Sequence, residues 1–173
     1  MTKYQNKYRI ESTRLNVCDY SNPWWYYVTV NTKNHIEYFE QISNGKVSLN
    51  ELGLITKNRW EDIPEHFPNI ELDYFVIMPN HLHGIIIINP TVETPERTSL
   101  PQKITLGQII NQFKGSVKRW ANKNNYSNLS WQPRFYDHII RNEKELYNIR
   151  KYIEQNPLKW DIEKNNPENI FPF

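Results

Sequence analysis

His81 and His83 stand two residues apart in the stretch Phe75-Val76-Ile77-Met78-Pro79-Asn80-His81-Leu82-His83-Gly84, and they are two of the five histidines in a chain of 173 residues. The segment reads as two β-strands around a short turn at Pro79-Asn80. Side chains alternate faces along a strand, so both imidazoles project the same way with Cα atoms roughly 6–7 Å apart, and Leu82 projects the other way. Two imidazoles on one side of a strand can grip a divalent cation, but such a cation usually takes at least one further protein ligand. The competing reading of His-X-His on an apolar strand is packing and hydrogen bonding. His35, His66 and His138 complete the histidine set, and no spacing selects any of them as the missing ligand.

A second pair lies about seventy residues downstream, where Tyr152 and Asn156 are four apart in a helical pattern. Residues at i and i+4 share a helix face, with Cβ atoms about 5–6 Å apart. Both fall at the edge of the apolar stripe formed by Leu146, Ile149 and Ile153. From there they can point into a cleft beside a sheet. The Asn156 carboxamide oxygen is a metal-ligand type, and the Tyr152 phenol is a nucleophile type. Core or rim packing is the alternative for an aromatic on an amphipathic helix, and a helix C-terminus is the alternative for Asn156 before Pro157.

The elements that would position these residues follow from pattern. Residues 1–22 read as a polar leader. Residues 24–31, aromatic and β-branched, predict a first strand. Residues 38–49 contain Asn44-Gly45, a hairpin turn signal. Asn50 is a good N-cap for a helix carrying Leu52, Ile55 and Trp60 and ending near Pro64. Residues 70–77 and 81–88 form a strand pair whose near-continuous apolar character predicts burial on both faces. Residues 90–103 predict a flexible loop. Thr105 opens a helix with Leu106, Ile109, Ile110, Phe113, Val117 and Trp120 on one side. Residues 136–140 predict a strand, and Asn142 caps a last helix that Pro157 is expected to stop. The sum is one α+β domain over residues 1–173, with a mostly antiparallel sheet and helices on one side of it.

Composition narrows the function classes. Six Trp, eleven Tyr and seven Phe accompany a formal net charge of +2. No apolar run approaches the ~18 residues of a membrane span, and the N-terminus lacks the apolar core of a secretory signal. The single cysteine, Cys18, excludes an internal disulfide and a multi-cysteine zinc site. Cytoplasmic residence is the expectation. Residues 101–160 carry eleven basic and four acidic side chains, whereas residues 1–100 carry nine and twelve. A polyanion partner fits this bias through counterion release, and a solvated helix face is the bland alternative.

Three motifs taken together resemble the HUH single-tyrosine transposases, and among them the REP-associated tyrosine transposases. They are the His-containing motif above, then Trp131-Gln132-Pro133-Arg134-Phe135-Tyr136-Asp137-His138-Ile139-Ile140-Arg141, and Tyr152-Ile153-Glu154-Gln155-Asn156-Pro157-Leu158-Lys159-Trp160. Their order and spacing agree with the family over about residues 20–160, and His-X-His joined to Tyr-Ile-X-X-Asn-Pro is a specific combination. The resemblance implies a ferredoxin- or RRM-like antiparallel sheet with the His-bearing strand central and helices packed on it. It implies a single-stranded DNA endonuclease and strand transferase acting on hairpin DNA. Tyr152 would be the nucleophile forming a 5′-phosphotyrosine, and His81, His83 and Asn156 would hold Mg2+ or Mn2+. Lys114, Lys118 and Arg119 are the first candidates for DNA backbone contacts, followed by Arg134, His138, Arg141, Arg150 and Lys151. Trp24, Trp131 and Tyr136 are candidates for base stacking. The hairpin at residues 38–49 and the tail at 161–173 go beyond the minimal fold, and the tail could cover the site. Insertion-sequence relatives act as swapped dimers and REP-associated relatives include monomers; a monomer is expected here. The rival readings are a domesticated nucleic-acid-binding module that does not cleave, and a hydrolase using His-held zinc and water.

Overall fold

A computed structural model describes residues 3–4, 7–8, 23–43, 46–90 and 104–165 of the chain. Cys18, the Asn44-Gly45 turn, residues 91–103 of the expected loop and residues 166–173 of the tail lie outside the described residues. Two short strands, β1 (Lys3–Tyr4) and β2 (Lys7–Tyr8), pair with each other. The main sheet is antiparallel with strand order β6-β7-β3-β8, from β3 (Trp25–Asn31), β6 (Ile70–Met78), β7 (His81–Ile88) and β8 (Tyr136–Ile140). The histidine strand β7 is therefore internal, as expected. A separate hairpin joins β4 (Glu40–Ser43) to β5 (Lys46–Leu49).

The helices cover both faces of the sheet, which corrects the expectation of one covered face. Alternation along β3 explains this. Tyr26, Val28 and Val30 are fully buried on one face. They pack with Leu82 and Ile86 of β7 against α1 (Glu51–Glu61) and α3 (Leu106–Lys123). Trp25 and Tyr27 face the other way, where Ile85 and Ile140 meet Ile153 of α4 (Glu143–Asn165). A strand buried on both faces needs a cover on each, and the unbroken apolar run of β7 is the sequence mark of that arrangement.

The caps fall where the sequence places them. Asn50 Oδ1 accepts from the Gly53 N–H at 2.8 Å, and a short α2 (Ile63–His66) holds Pro64 in its first turn. Thr105 and Gln108 form a reciprocal capping box at the start of α3. Asn142 Oδ1 accepts from the Glu145 N–H at 2.9 Å at the start of α4. Strand β6 adds a bulge between Leu72 and Phe75. The extra residue lets Leu72 and Phe75, three apart, both pack on the α1–α3 side.

Helix α4 does not stop at Pro157 but continues to Asn165. A proline inside a helix costs about 3 kcal/mol through its missing N–H and its clash with the preceding turn. Burial of Ile153, Asn156 and Pro157 on the sheet offsets that cost. Propensity set the expected stop, and tertiary packing overrode it.

Candidate active site

Register brings the site together on the α4 side of the sheet. His81 pairs with Asn31, and His83 with Thr29, so Tyr27, Thr29, His81 and His83 share one face. The His81 and His83 Nε2 atoms converge to 3.0 Å. Behind them, His81 Nδ1 lies 2.6 Å from Asn80 Oδ1, and His83 Nδ1 lies 2.7 Å from the Tyr27 hydroxyl and 3.0 Å from Thr29 Oγ1. Thr29 Oγ1 also donates to the Tyr27 hydroxyl. Each imidazole is thus gripped from its far nitrogen, and the two near nitrogens face one another.

Helix α4 closes the site from above. The Tyr152 ring sits 5.3 Å from the His83 ring, centroid to centroid, and the Trp160 ring sits 5.8 Å from the His81 ring. Residues 152, 156 and 160 are spaced four apart, so they line one stripe of the helix. Asn156 lies midway along this stripe, over the histidine pair, and is buried. Tyr152 stays 40% exposed, open to a large substrate. Lys159 places its ammonium 5.4 Å from the Tyr152 ring centroid.

Burial sets the electrostatics. It pushes His81 down to about 4, with His35 adding to the effect, and His83 down to about 2, with His81 adding. Both rings are neutral at pH 7, the state in which imidazole binds metals. Burial likewise raises the Tyr27 phenol above the usual range, partly countered by Thr29 and helped by Tyr152 and Tyr136.

These shifts make stability pH-dependent. Below the unfolded value near 6.5 the unfolded chain binds protons that the buried rings refuse, so stability is complete above that pH and is lost as pH falls. Urea unfolding in chelator should show a loss of about 2 kcal/mol per imidazole between pH 7.5 and pH 5. His83→Gln should remove about half of that slope, and an unchanged slope would mean that His83 does not contribute to it.

Among the described residues no cluster of three His, Cys, Asp or Glu side chains could hold a metal. A third protein ligand would have to be another residue type, and the buried Asn156 carboxamide is suitably placed. Neighbouring ligands about an octahedral cation bound at roughly 2.1 Å are about 3.0 Å apart, which matches the histidine nitrogens. The donor set therefore fits Mg2+ or Mn2+.

The other expected residues do not converge on one patch. Lys114 Nζ donates to the carbonyls of Gln132 and Arg134, and Lys118 Nζ donates to those of Ser127 and Leu129. Both ammonium groups thus fasten the segment after α3, and burial pulls Lys114 down to about 8. Arg119 lines a cleft of about 400 Å³ with Arg59 and Lys123 on the α1–α3 side, away from the histidines. His138 bonds Glu145 at 2.6 Å, joining β8 to α4. Arg150 pairs with Asp73 at 2.7 Å and covers the Tyr74 ring. Arg134, Arg141 and Lys151 are exposed. Among the stacking candidates, Trp131 packs on Phe39 and Phe113, whereas Tyr136 is 57% exposed beside Tyr27.

Tyr27, Thr29, Lys159 and the supporting role of Asn80 escaped sequence reasoning. Alternation in β3 marks Tyr27 and Thr29 as opposite in face to Tyr26 and Val28, but pairing of β3 with β7 is needed to bring them to His83. Lys159 is seven residues from Tyr152, a same-face spacing that could have drawn notice.

No protein-family model matches the chain. An uncharacterized protein of Haemophilus influenzae is 42% identical over 160 residues, covering 87% of this chain and 89% of its own length. The two belong to one family. A second Haemophilus influenzae protein, provisionally named a REP-associated tyrosine transposase, is 27% identical over 105 residues, covering 60% of this chain and 57% of its own length. Among solved structures, a REP-associated tyrosine transposase bound to a REP hairpin superposes with a TM-score of 0.57 at 21% identity, covering 92% of this chain and 74% of that one. Among the described residues no helix is long and apolar enough to cross a membrane.

Proposed function

We propose that this chain, which has the fold of a REP-associated tyrosine transposase, is a single-stranded DNA nicking and joining enzyme acting on hairpin-containing DNA. The observation that carries the reading is the stripe of Tyr152, Asn156 and Trp160 laid over His81 and His83. A nucleophile that solvent can reach and a convergent donor set then lie side by side.

The Tyr152 oxygen attacks the scissile phosphorus and displaces the 3′ oxygen of the upstream nucleotide. The phenol proton leaves to water and the departing oxygen takes one up. The products are a 5′-phosphotyrosine and a free 3′-OH. The covalent link preserves the bond energy, so another 3′-OH can reverse the step and join strands. His81, His83 and Asn156 would hold the cation, whose chemistry when bound is Lewis-acid polarisation of the phosphate. Lys159 places a positive charge beside the Tyr152 ring, where the phosphate of a bound strand would lie. Tyr27 is unsuited to compete as nucleophile because burial keeps it protonated.

The test is incubation with a library of single-stranded hairpin oligonucleotides and Mn2+, resolved on a denaturing gel. A label at the DNA 3′ end should move with the protein, because the downstream fragment carries the 5′-phosphotyrosine. Cleavage without a protein-linked fragment would indicate water-mediated hydrolysis. Tight binding without any cleavage across the library would indicate a non-cleaving module.

The exposed Arg134, Arg141 and Lys151 are the candidates for phosphate contacts. Each alanine substitution is expected to lower the salt dependence of DNA binding by about one counterion. Lys114→Ala should lower thermal stability instead, through loss of its carbonyl contacts. An unchanged salt slope in all three surface variants would place the DNA elsewhere.

A further inference from the structure

The apolar contacts that hold α4 on the sheet do not by themselves fix its rotation about its own axis. Ile149 and Ile153 rest with Ile85 and Ile140 in one cluster. Aliphatic burial is non-directional, so it presses the helix down without setting its roll. At about 100° per residue, Tyr152 and Arg150 fall roughly 80° to opposite sides of the Ile149–Ile153 line. Glu145 falls roughly 60° from that line, on the Tyr152 side. A roll that lifts one flank of the helix lowers the other.

Each flank is tied to one edge of the sheet, since β8 and β6 are its edge strands. On the Tyr152 flank, Glu145 Oε1 lies 2.6 Å from His138 Nε2 of β8, and Glu145 Oε2 accepts from the Arg141 N–H at 2.8 Å. On the other flank, Arg150 Nε donates to Asp73 Oδ2 of β6 at 2.7 Å, and the guanidinium carbon lies 5.2 Å from the Tyr74 ring centroid. Consecutive residues of a regular strand point to opposite faces, so a regular β6 could not offer both to one arginine. The bulge removes that restriction. β6 takes three steps from Leu72 to Phe75 while β7 takes two from Ile86 to Gly84. The added residue falls at Asp73-Tyr74, and both side chains meet the guanidinium.

We propose that Arg150 is a positioning residue, anchored by the Asp73-Tyr74 bulge, that stops α4 from rolling and so fixes Tyr152 beside His83. The leverage is large. A roll of about 10° moves an atom about 6 Å from the helix axis by about 1 Å. A misplacement of that size can cost about 100-fold in rate. A part-exposed ion pair adds little to overall stability, so its loss is felt in position more than in folding. Arg150 is thus a strut between helix and sheet, not a phosphate contact. Its effect on cleavage rests on the proposed nicking reaction; the strut itself does not.

The test compares Arg150→Met and Asp73→Asn with the unmodified protein. Asp73→Asn is isosteric and covers the case in which Arg150→Met does not fold. Without DNA, the readout is the nuclear Overhauser contact between the Tyr152 and Tyr27 rings, whose centroids lie 6.3 Å apart. Both variants should weaken it several-fold, with Arg150→Lys intermediate. On hairpin DNA with Mn2+, single-turnover formation of the protein-linked fragment should slow at least about tenfold, while hairpin affinity stays within about twofold. A ring contact unchanged in the folded variants overturns the strut. A weakened contact with an unchanged adduct rate overturns its role in positioning the nucleophile. A salt slope lower by about one counterion in Arg150→Met, with tighter binding in Asp73→Asn, overturns the proposal in favour of a phosphate contact. If the unmodified protein gives no adduct on any hairpin, the nicking reading fails and the ring contacts still decide the strut.

Discussion

Tyr152→Phe is expected to abolish covalent attachment to DNA while leaving the fold and DNA affinity in place. The substitution removes one oxygen atom. The ring contacts with His83 and Tyr27 are kept, and the side chain is 40% exposed, so little packing is at stake. Removing a nucleophile that acts as part of a unit typically costs at least about 10^3-fold in rate, and the protein-linked fragment should fall below detection. A folded variant with normal hairpin affinity and no adduct is the expected result. An adduct that persists in Tyr152→Phe at more than a trace would move the nucleophile elsewhere. Tyr136 would then be the first suspect, because it is exposed and its ring lies 6.2 Å from that of Tyr27. The double variant Tyr152→Phe with Tyr136→Phe separates that case from background.

Much of this centre is legible in the amino-acid sequence. His81 and His83 share a face because strand periodicity puts them there, and Tyr152 and Asn156 share one because helix periodicity does. Asn50, Thr105 and Asn142 mark helix starts through chemistry local to each turn. What a single sequence cannot state is which face of α4 meets which face of the sheet. That depends on long-range packing, where Ile153 meets Ile85 and Ile140. The same packing carries α4 through Pro157, against the local preference of proline. The cationic residues fail to converge for a related reason. Charge pattern along α3 shows Lys114 and Lys118 as a basic face, but the loop that follows folds back to offer them carbonyl oxygens. A basic stripe in sequence does not distinguish a phosphate ligand from a loop fastener.

Gly84→Ala is expected to be the most damaging methyl group that can be added to the histidine strand. Gly84 follows His83 and faces the α1 side, where the six-membered ring of the Trp60 indole abuts the strand. A Cβ built there would sit 2.4 Å from Trp60 Cζ2 and 3.0 Å from Cε2. Trp60 is fully buried among Phe75 and Phe113, so its ring has no open direction in which to retreat. Overpacking of this kind costs about 3 kcal/mol. A melting temperature lower by about 10 °C follows for a chain of this length. If β7 gives way instead of the indole, His83 moves with it, and cleavage should fall further than the stability loss alone accounts for. Trp60→Phe supplies the discriminating partner. It withdraws the six-membered ring that meets the new methyl group, and it also removes the Trp60 Nε1–H, which has no hydrogen-bond partner among the described residues. The double variant should therefore recover at least about 1 kcal/mol relative to the sum of the two single losses, as expected for residues in direct contact. Losses that simply add would show that Gly84 is required for a reason other than the indole, and the link between the α1 face and the position of His83 would then be wrong.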